Sequence, residues 1–356
     1  MPAELFGDVY AGRRVMVTGH TGFVGGWAVR WLTALGAEVA GYSRGQHPAD
    51  TPPCSAVRTF DGDVTDASRL AAAMATFQPE IILHLAGSTV VAAGYRAPAV
   101  TFASNVAGTV TVLDAALHQP SVRSVVVTGT PAITRLGDDL ELGPYAASKL
   151  AVEACVAAYA HRLTQQAAGR RAGEAEPMQV GLARPGVMIG GDWAEGRLLA
   201  DVVRAVRGGK PVTLGAPQAV RPWQHVLDGV SGALTLAARL WAGPAPRRRY
   251  DFGCEPGESR GSVHEVVNGF LAAYGVPGWP LHSTGGGAGD RVELGYAAAR
   301  AELAWRPVWP LPLALSASAQ WYRAADDGPA AVAAAMDGLI AAYATSARQT
   351  WAPAMA

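Results

Sequence analysis

The chain has 356 residues, half of them hydrophobic, and 29 Lys and Arg balance 29 Asp and Glu. That is enough apolar side chain for a large buried core, in one large domain or a domain and a half. A formal net charge of zero gives no basic surface for nucleic acid or an anionic membrane. Cys54, Cys155 and Cys254 lie far apart without metal-ligand spacing, so neither a metal site nor a disulfide frame is expected, and a reducing cytoplasm is. No secretory signal opens the chain, and no apolar run reaches the roughly 20 residues that span a bilayer.

Residues 15–18 are a β-branched run that predicts a buried strand. Three glycines spaced three apart follow, Gly19, Gly22 and Gly25, and then a helical stretch over 27–35. Gly19 suits a tight turn, Gly22 lets the backbone approach a pyrophosphate, and Gly25 lets the helix pack close to the strand. The N–H groups and positive end of that helix then face phosphates. Residues 38–42 read as a second strand, 67–76 as a helix, 81–85 as a strand and 100–117 as a long helix. Residues 124–128 read as a buried strand, 144–163 as a helix, 165–177 as a helix end and surface loop, and 180–184 as a strand. This alternation predicts an α/β fold, a Rossmann-type doubly wound parallel sheet, over 1–183. From Arg184 onward Gly, Pro and Trp are more frequent. Residues 184–325 are expected mainly to form a smaller C-terminal substrate lobe, with segments of about 222–255 returning to the sheet. The Ala-rich stretch 326–356 is expected to be a helical tail on the surface or on a partner subunit.

Pro144-Tyr145-Ala146-Ala147-Ser148-Lys149 opens a helix with Pro in a favoured early position. Tyr145 and Lys149 are four apart and share a face. An ammonium beside a phenol favours phenolate and lowers the tyrosine pKa. Such a pair is a general acid/base for a hydroxyl proton while hydride passes to or from a nicotinamide. At the end of the second strand an acid would bind the ribose hydroxyls of NAD. The chain has Ser43 and Arg44 there, and Arg44 suits a 2′-phosphate, so NADP is favoured slightly over NAD. The guanidinium of Arg221 matches diphosphate oxygens in a bidentate fork. His20 and His84 sit beside strand ends and read as structural, and Trp223 reads as core packing.

The stretches VTGHTGFVGGW, HLAG, FASNVAGT, PYAASK, GGDWAEGRLLAD, RPWQHVLD and ARAELAWRP together resemble the extended short-chain dehydrogenases/reductases of the NAD-dependent epimerase/dehydratase family, and within it the CDP-glucose 4,6-dehydratase group. The resemblance runs from about Arg14 to about Tyr322. It implies a redox acid/base at Tyr145, with Lys149 orienting it and the nicotinamide ribose. It implies a pyrophosphate held by Thr18, Gly19, Thr21, Gly22, Phe23, Val24 and Gly25, and an adenine near Asp63 and Val64. Leu85, Ala86, Gly87 and Asn105 would flank the nicotinamide. Asp192, Trp193, Arg197, Arg221 and His225 would line a nucleotide-sugar site, although the sequence alone reads His225 equally as a core histidine. A homodimer through the helices at 100–117 and 144–163 is also implied.

The chain departs from that group where it carries its dehydration residues. After Thr128 those enzymes have a hydroxyl residue, an aspartate, then a glutamate or lysine; here Gly129, Thr130 and Pro131 follow. Asp138, Asp139 and Glu141 lie downstream with nothing to place them in a site, and Val187 stands where the group has asparagine. The expectation is therefore hydride transfer at a sugar carbinol or ketone, as an epimerase or ketoreductase, with Thr128 or Thr130 hydrogen-bonding the substrate oxygen. Three alternatives stay open: a ketoreductase for a natural product that is not a nucleotide sugar, a 4,6-dehydratase with a substituted acid, and a non-catalytic cofactor-binding partner.

Overall fold

The computed structural model describes residues 5–45, 54–133, 142–169, 176–254, 260–285 and 291–351. Its strands in chain order are β1 (Arg14–Thr18), β2 (Glu38–Ser43), β3 (Arg58–Asp61), β4 (Ile81–His84), β5 (Ser124–Thr128), β6 (Gln179–Pro185), β7 (Val187–Ile189), β8 (Val212–Leu214), β9 (Val220–His225), β10 (Arg249–Phe252), β11 (Arg260–Ser262) and β12 (Leu281–Ser283). The helices are α1 (Phe23–Ala34), α2 (Ala67–Phe77), α3 (Val91–Arg96), α4 (Pro98–Phe102), α5 (Gly108–Leu117), α6 (Pro144–Ala168), α7 (Leu198–Arg207), α8 (Val226–Ala242), α9 (Val263–Tyr274), α10 (Ala297–Leu303), α11 (Leu311–Ala324) and α12 (Pro329–Trp351).

Seven strands form one sheet in the order β10-β6-β5-β4-β1-β2-β3, every pairing parallel. The apolar runs are buried on both sides, because alternate residues serve opposite helical layers. Val15 and Val17 face the core built with α1 and α8, while Met16 joins α2, α5 and α6 on the other face. The strand order reverses between β1 and β4, and Thr18 pairs with His84 there. In such sheets ligands bind beyond the carboxyl ends of the strands at the reversal.

The stretch read as one helix over 100–117 is α4, a π-helical turn Ala103–Ala107 and α5. β3, with its exposed Arg58 and Thr59, was not anticipated. Of the returning segment, α8 and β10 join the main sheet, but β9 pairs with β7 and β11 in a separate three-stranded sheet. The tail is α12, which packs on its own chain: Met336, Ile340, Tyr343 and Trp351 enter the core shared with α1. Two helical stretches, Pro98–Leu117 and Pro329–Trp351, are long and apolar enough by length and composition to cross a membrane. This corrects the sequence reading, which found no such run. Both bury one face in the protein.

Candidate active site

The glycine-rich loop does three separate jobs. Gly19 has φ +72°, and a Cβ there would lie 2.8 Å from the Ala86 backbone. Gly25 is where α1 meets the loop, since a Cβ would lie 2.1 Å from the Gly19 carbonyl oxygen. Gly22 caps α1 with no side-chain hydrogen bond, which leaves the first-turn N–H groups to a ligand. Thr18 Oγ1 lies 2.7 Å from His84 Nδ1, and His84 Nε2 lies 3.0 Å from Thr109 Oγ1. Burial, reinforced by the charge of Lys149, lowers the His84 pKa to about 3. His84 is therefore a neutral strut at the end of β4.

Gly19, Thr21, Gly22, Ser43, Arg44, Val64, Leu85, Ala86 and Gly87 line one cavity of about 180 Å³, so most of the expected cofactor residues converge. The Ser43 hydroxyl in it is buried and has no hydrogen-bond partner among the described residues. At the rim, Arg44 Nη1 is 3.4 Å from Asp63 Oδ2. Asp63 accepts hydrogen bonds from the Thr65 backbone and hydroxyl, 2.9 and 2.8 Å, which hold its carboxyl below the usual range. Asn105 acts from behind the wall. Its Oδ1 accepts from the Ser88 N–H at 2.7 Å, and its Nδ2 donates to the Ser88 carbonyl and to Ser148 Oγ, at 3.1 and 2.8 Å. The π-helical turn that carries Asn105 is a common device for placing one side chain in a helix. Here it fastens the segment after β4 to α6.

A second cavity, about 290 Å³, joins Phe23 and Val24 of α1, Leu85, Thr128, Gly129, Thr130, Pro131, Tyr145, Lys149, Val187, Arg197 and Arg221. Pro144 sits in the first turn of α6 and sets Tyr145 and Lys149 on one face. Lys149 Nζ donates to the Thr128 carbonyl oxygen at 2.9 Å, and burial lowers its pKa to about 8. Burial raises the pKa of the Tyr145 phenol; a hydrogen bond with Thr130 and the charge of Arg197 oppose that rise. This corrects the expected acidified phenol. In this structure the ammonium is engaged by the Thr128 carbonyl, and Tyr145 carries its proton at neutral pH. The Thr128 hydroxyl is buried without a hydrogen-bond partner among the described residues.

Gly129 is glycine for a local reason. A Cβ there would lie 2.7 Å from Arg184 Cγ and 3.0 Å from Leu182 Cδ2. Arg184 forks onto Asp251 at 2.6 and 2.8 Å and lies 3.6 Å from Glu153. The space that a side chain at 129 would use is filled by the aliphatic stem of Arg184, which this ion pair holds in place, and by Leu182. Pro131 begins a short 3-10 turn, Pro131–Ile133. No Asp or Glu lines this cavity among the described residues; Asp138, Asp139 and Glu141 lie outside those residues.

A third cavity of about 320 Å³ shares Phe23, Val187 and Arg197 with the second and adds Asp192, Trp223 and Tyr322. Arg197 stands between the two. It donates to Thr89 Oγ1 at 2.7 Å, lies 3.3 Å from Asp192 Oδ2, and faces the Phe23 ring at 5.8 Å. Trp193 does not line either cavity. It packs against Trp321 and Tyr322, centroids 6.0 and 5.2 Å away, under the Arg207 guanidinium. His225 is likewise not a substrate contact. It is fully buried between Trp27 and Trp309, caps α8 through Nδ1, and has a pKa lowered by burial to about 3. The sequence reading missed Thr89, Val91, Met188 and Val292, which line the second cavity. They lie in short or irregular segments that carry no periodic signal.

A doubly wound parallel sheet, a glycine-rich loop at its reversal and a Tyr–Lys pair in the adjoining cavity define an enzyme of the extended short-chain dehydrogenase/reductase type. Residues 15–253 match the NAD dependent epimerase/dehydratase family, and the chain belongs to it. It is 32% identical to a CDP-glucose 4,6-dehydratase of Salmonella typhimurium over 341 residues, 89% of this chain and 92% of that one. The fold is similar to UDP-glucose 4-epimerase of Thermotoga maritima solved with UDP-glucose, with TM-score 0.73, 18% identity, and coverage of 87% of this chain and 98% of that one. It is also similar to dTDP-glucose 4,6-dehydratase of Streptomyces venezuelae solved with NAD, with TM-score 0.71, 24% identity, and coverage of 87% and 97%.

Proposed function

We propose that the chain binds NAD or NADP and moves hydride at a carbinol or ketone of a nucleotide sugar, giving epimerisation or carbonyl reduction without net loss of water. The observation that carries this reading is the second cavity, where Tyr145, Lys149, Thr128 and Thr130 meet beside the glycine-rich loop and no carboxylate joins them among the described residues. The loop fits a dinucleotide: α1 offers uncapped N–H groups, and the space beside Gly22 is open except for the Gly19 carbonyl oxygen at 3.3 Å. The bound cofactor supplies hydride exchange. Tyr145 holds the proton for the substrate oxygen, Thr130 orients the phenol, and the buried Thr128 hydroxyl is available to the same oxygen. Lys149 fixes the turn after β5 and adds positive charge. The unpartnered Ser43 hydroxyl and the neighbouring Arg44 support a slight preference for NADP.

Arg197 and Arg221 are the candidate diphosphate ligands, with Asp192 orienting Arg197. A homodimer is part of the proposal. Exposed Val100, Phe102, Ala103 and Ala107 support it, together with exposed Ala154, Ala157 and Ala158 on α6; light scattering on the purified protein tests it. The dehydratase name of the Salmonella relative favours a second reading, 4,6-dehydration. Incubation with NAD(P) and CDP, UDP and dTDP sugars, followed by mass spectrometry, separates the two. Loss of water supports the second reading and refutes the first.

A further inference from the structure

The turn after β5 meets α6 twice. The Thr128 carbonyl oxygen accepts from Lys149 Nζ at 2.9 Å, and Thr130 hydrogen-bonds the Tyr145 phenol. Gly129, between them, has no side chain to hold the turn. The stem of Arg184 takes that place: a Cβ at 129 would lie 2.7 Å from its Cγ and 3.4 Å from its Cδ. Arg184 is buried on β6, next to Ala183, whose carbonyl oxygen accepts from the Gly129 N–H at 2.8 Å. Its guanidinium is pinned from two sides. Nε and Nη2 donate to the Asp251 carboxylate of β10 at 2.6 and 2.8 Å, and Nη1 lies 3.6 Å from Glu153 Oε1. Glu153 stands on α6 one turn after Lys149, and Arg249 of β10 donates to its other oxygen at 3.1 Å. A buried ion pair contributes little net stability, because desolvation offsets most of the attraction. A bidentate fork does fix the guanidinium plane, and with it the path of a stem that would otherwise sample several rotamers.

We propose that Arg184 is a positioning residue for hydride transfer: held by Asp251 and Glu153, its stem sets the Thr128–Thr130 turn at the distance from α6 that both contacts need. This rests on the reading of Tyr145 as the acid/base. Arg184 does not line the cavity and touches no reacting atom; it acts through the turn. A turn released from below lengthens the bond from Thr130 to Tyr145, and the phenol then ionises less readily. Lys149, Arg197 and Arg221, the charged groups that line the cavity with Tyr145, keep their identity in every variant below.

The test follows hydride transfer to NAD or NADP by nicotinamide absorbance, in a single turnover, with the CDP, UDP or dTDP sugar that the parent chain oxidises. Arg184→Met keeps the stem and removes the fork. Asp251→Asn weakens the fork from its partly exposed end and keeps the test open if the first variant does not fold. In each, the rise of kcat with pH is expected to move up by about 0.5 to 1 pH unit, which lowers kcat at pH 8 about 3- to 10-fold, while KM for the sugar stays within about two-fold. Arg184→Lys keeps the charge without the fork and should fall between the parent and Arg184→Met. Added to Thr130→Val, neither variant should move the profile further, because the effect passes through Thr130. An unmoved profile, or a shift that adds in full to that of Thr130→Val, overturns the inference and leaves the hydride-transfer reading in place. No oxidation by the parent, or oxidation retained by Tyr145→Phe, removes that reading and this inference with it.

Discussion

Lys149 gives a prediction in which stability and activity move in opposite directions. Its ammonium is buried, and its pKa falls from 10.5 to about 8 because burial disfavours the charged form. The folded chain therefore releases this proton before the unfolded chain does, so stability rises with pH between the two values. It is lost again as pH falls through about 8. The drop corresponds to about 3 kcal/mol of cost to the fold at pH 7, and about 2.5 kcal/mol of it is recovered by pH 10. Lys149→Met keeps the apolar stem and removes the charge, but leaves the Thr128 carbonyl without its donor at a cost of about 1–3 kcal/mol. The variant should be as stable as the parent at pH 7, or up to about 2 kcal/mol more stable. Its advantage should shrink by about 2.5 kcal/mol on moving to pH 10, while its turnover falls about 100-fold or more. Urea unfolding of both proteins at pH 7, 8, 9 and 10 measures the difference. Parallel stability curves would refute a buried ammonium at this position.

Further outcomes follow from the same geometry. Tyr145→Phe should abolish hydride transfer, by about 100- to 10,000-fold, and leave cofactor affinity within a few-fold in a fluorescence titration. Thr130→Val removes a hydrogen bond that lowers the Tyr145 pKa. In alcohol oxidation, which needs phenolate, the rise of kcat with pH should therefore move to higher pH; an unmoved profile would place Thr130 outside the proton path. Gly25→Ala forces a Cβ against the Gly19 carbonyl and should destabilise by about 1–3 kcal/mol. Gly22→Ala should fold normally but weaken cofactor binding, and thermal melts beside titrations separate the two effects. The Asp228 pKa is raised from 3.8 to about 7 by burial, with Oδ1 accepting from Tyr343 at 2.7 Å and from the Val308 N–H at 2.8 Å. Its contribution is full below about pH 4 and lost as pH rises through 7, so from pH 5 to 8 the chain should lose about 2.5 kcal/mol that Asp228→Asn does not lose.

The parts that were legible in the sequence are those whose causes are local. β1, β4 and β5 are short apolar runs, and their length, their β-branched and aliphatic residues and the alternation with helical stretches mark them as strands. The three glycines announced the loop because spacing and φ are local demands. β3 was missed because Arg-Thr-Phe-Asp has no apolar pattern; only pairing with β2 makes it a strand. His225 was assigned to the substrate from a motif, yet its place between two tryptophans depends on α1 and on the segment after α10. The Tyr145 pKa was misjudged because four-residue spacing predicts a shared face, whereas burial and the hydrogen-bond partner of each side chain are set by β5 and α7. The wall at Val187 and Met188 lies in a three-residue strand, too short for any period to emerge.

The pair formed by Arg184 and Asp251, 67 positions apart in the chain, has a consequence for biosynthesis. The guanidinium under Gly129 meets its carboxylate only after β10 has been made and has added to the outer side of β6. A ribosome-bound fragment ending after β6 would carry the glycine-rich loop and Tyr145, but Arg184 would keep only Glu153, 3.6 Å away, with β6 left as an open edge of the sheet. The catalytic floor is thus sealed late in synthesis, and the first half of the chain, expressed alone, should not preserve it.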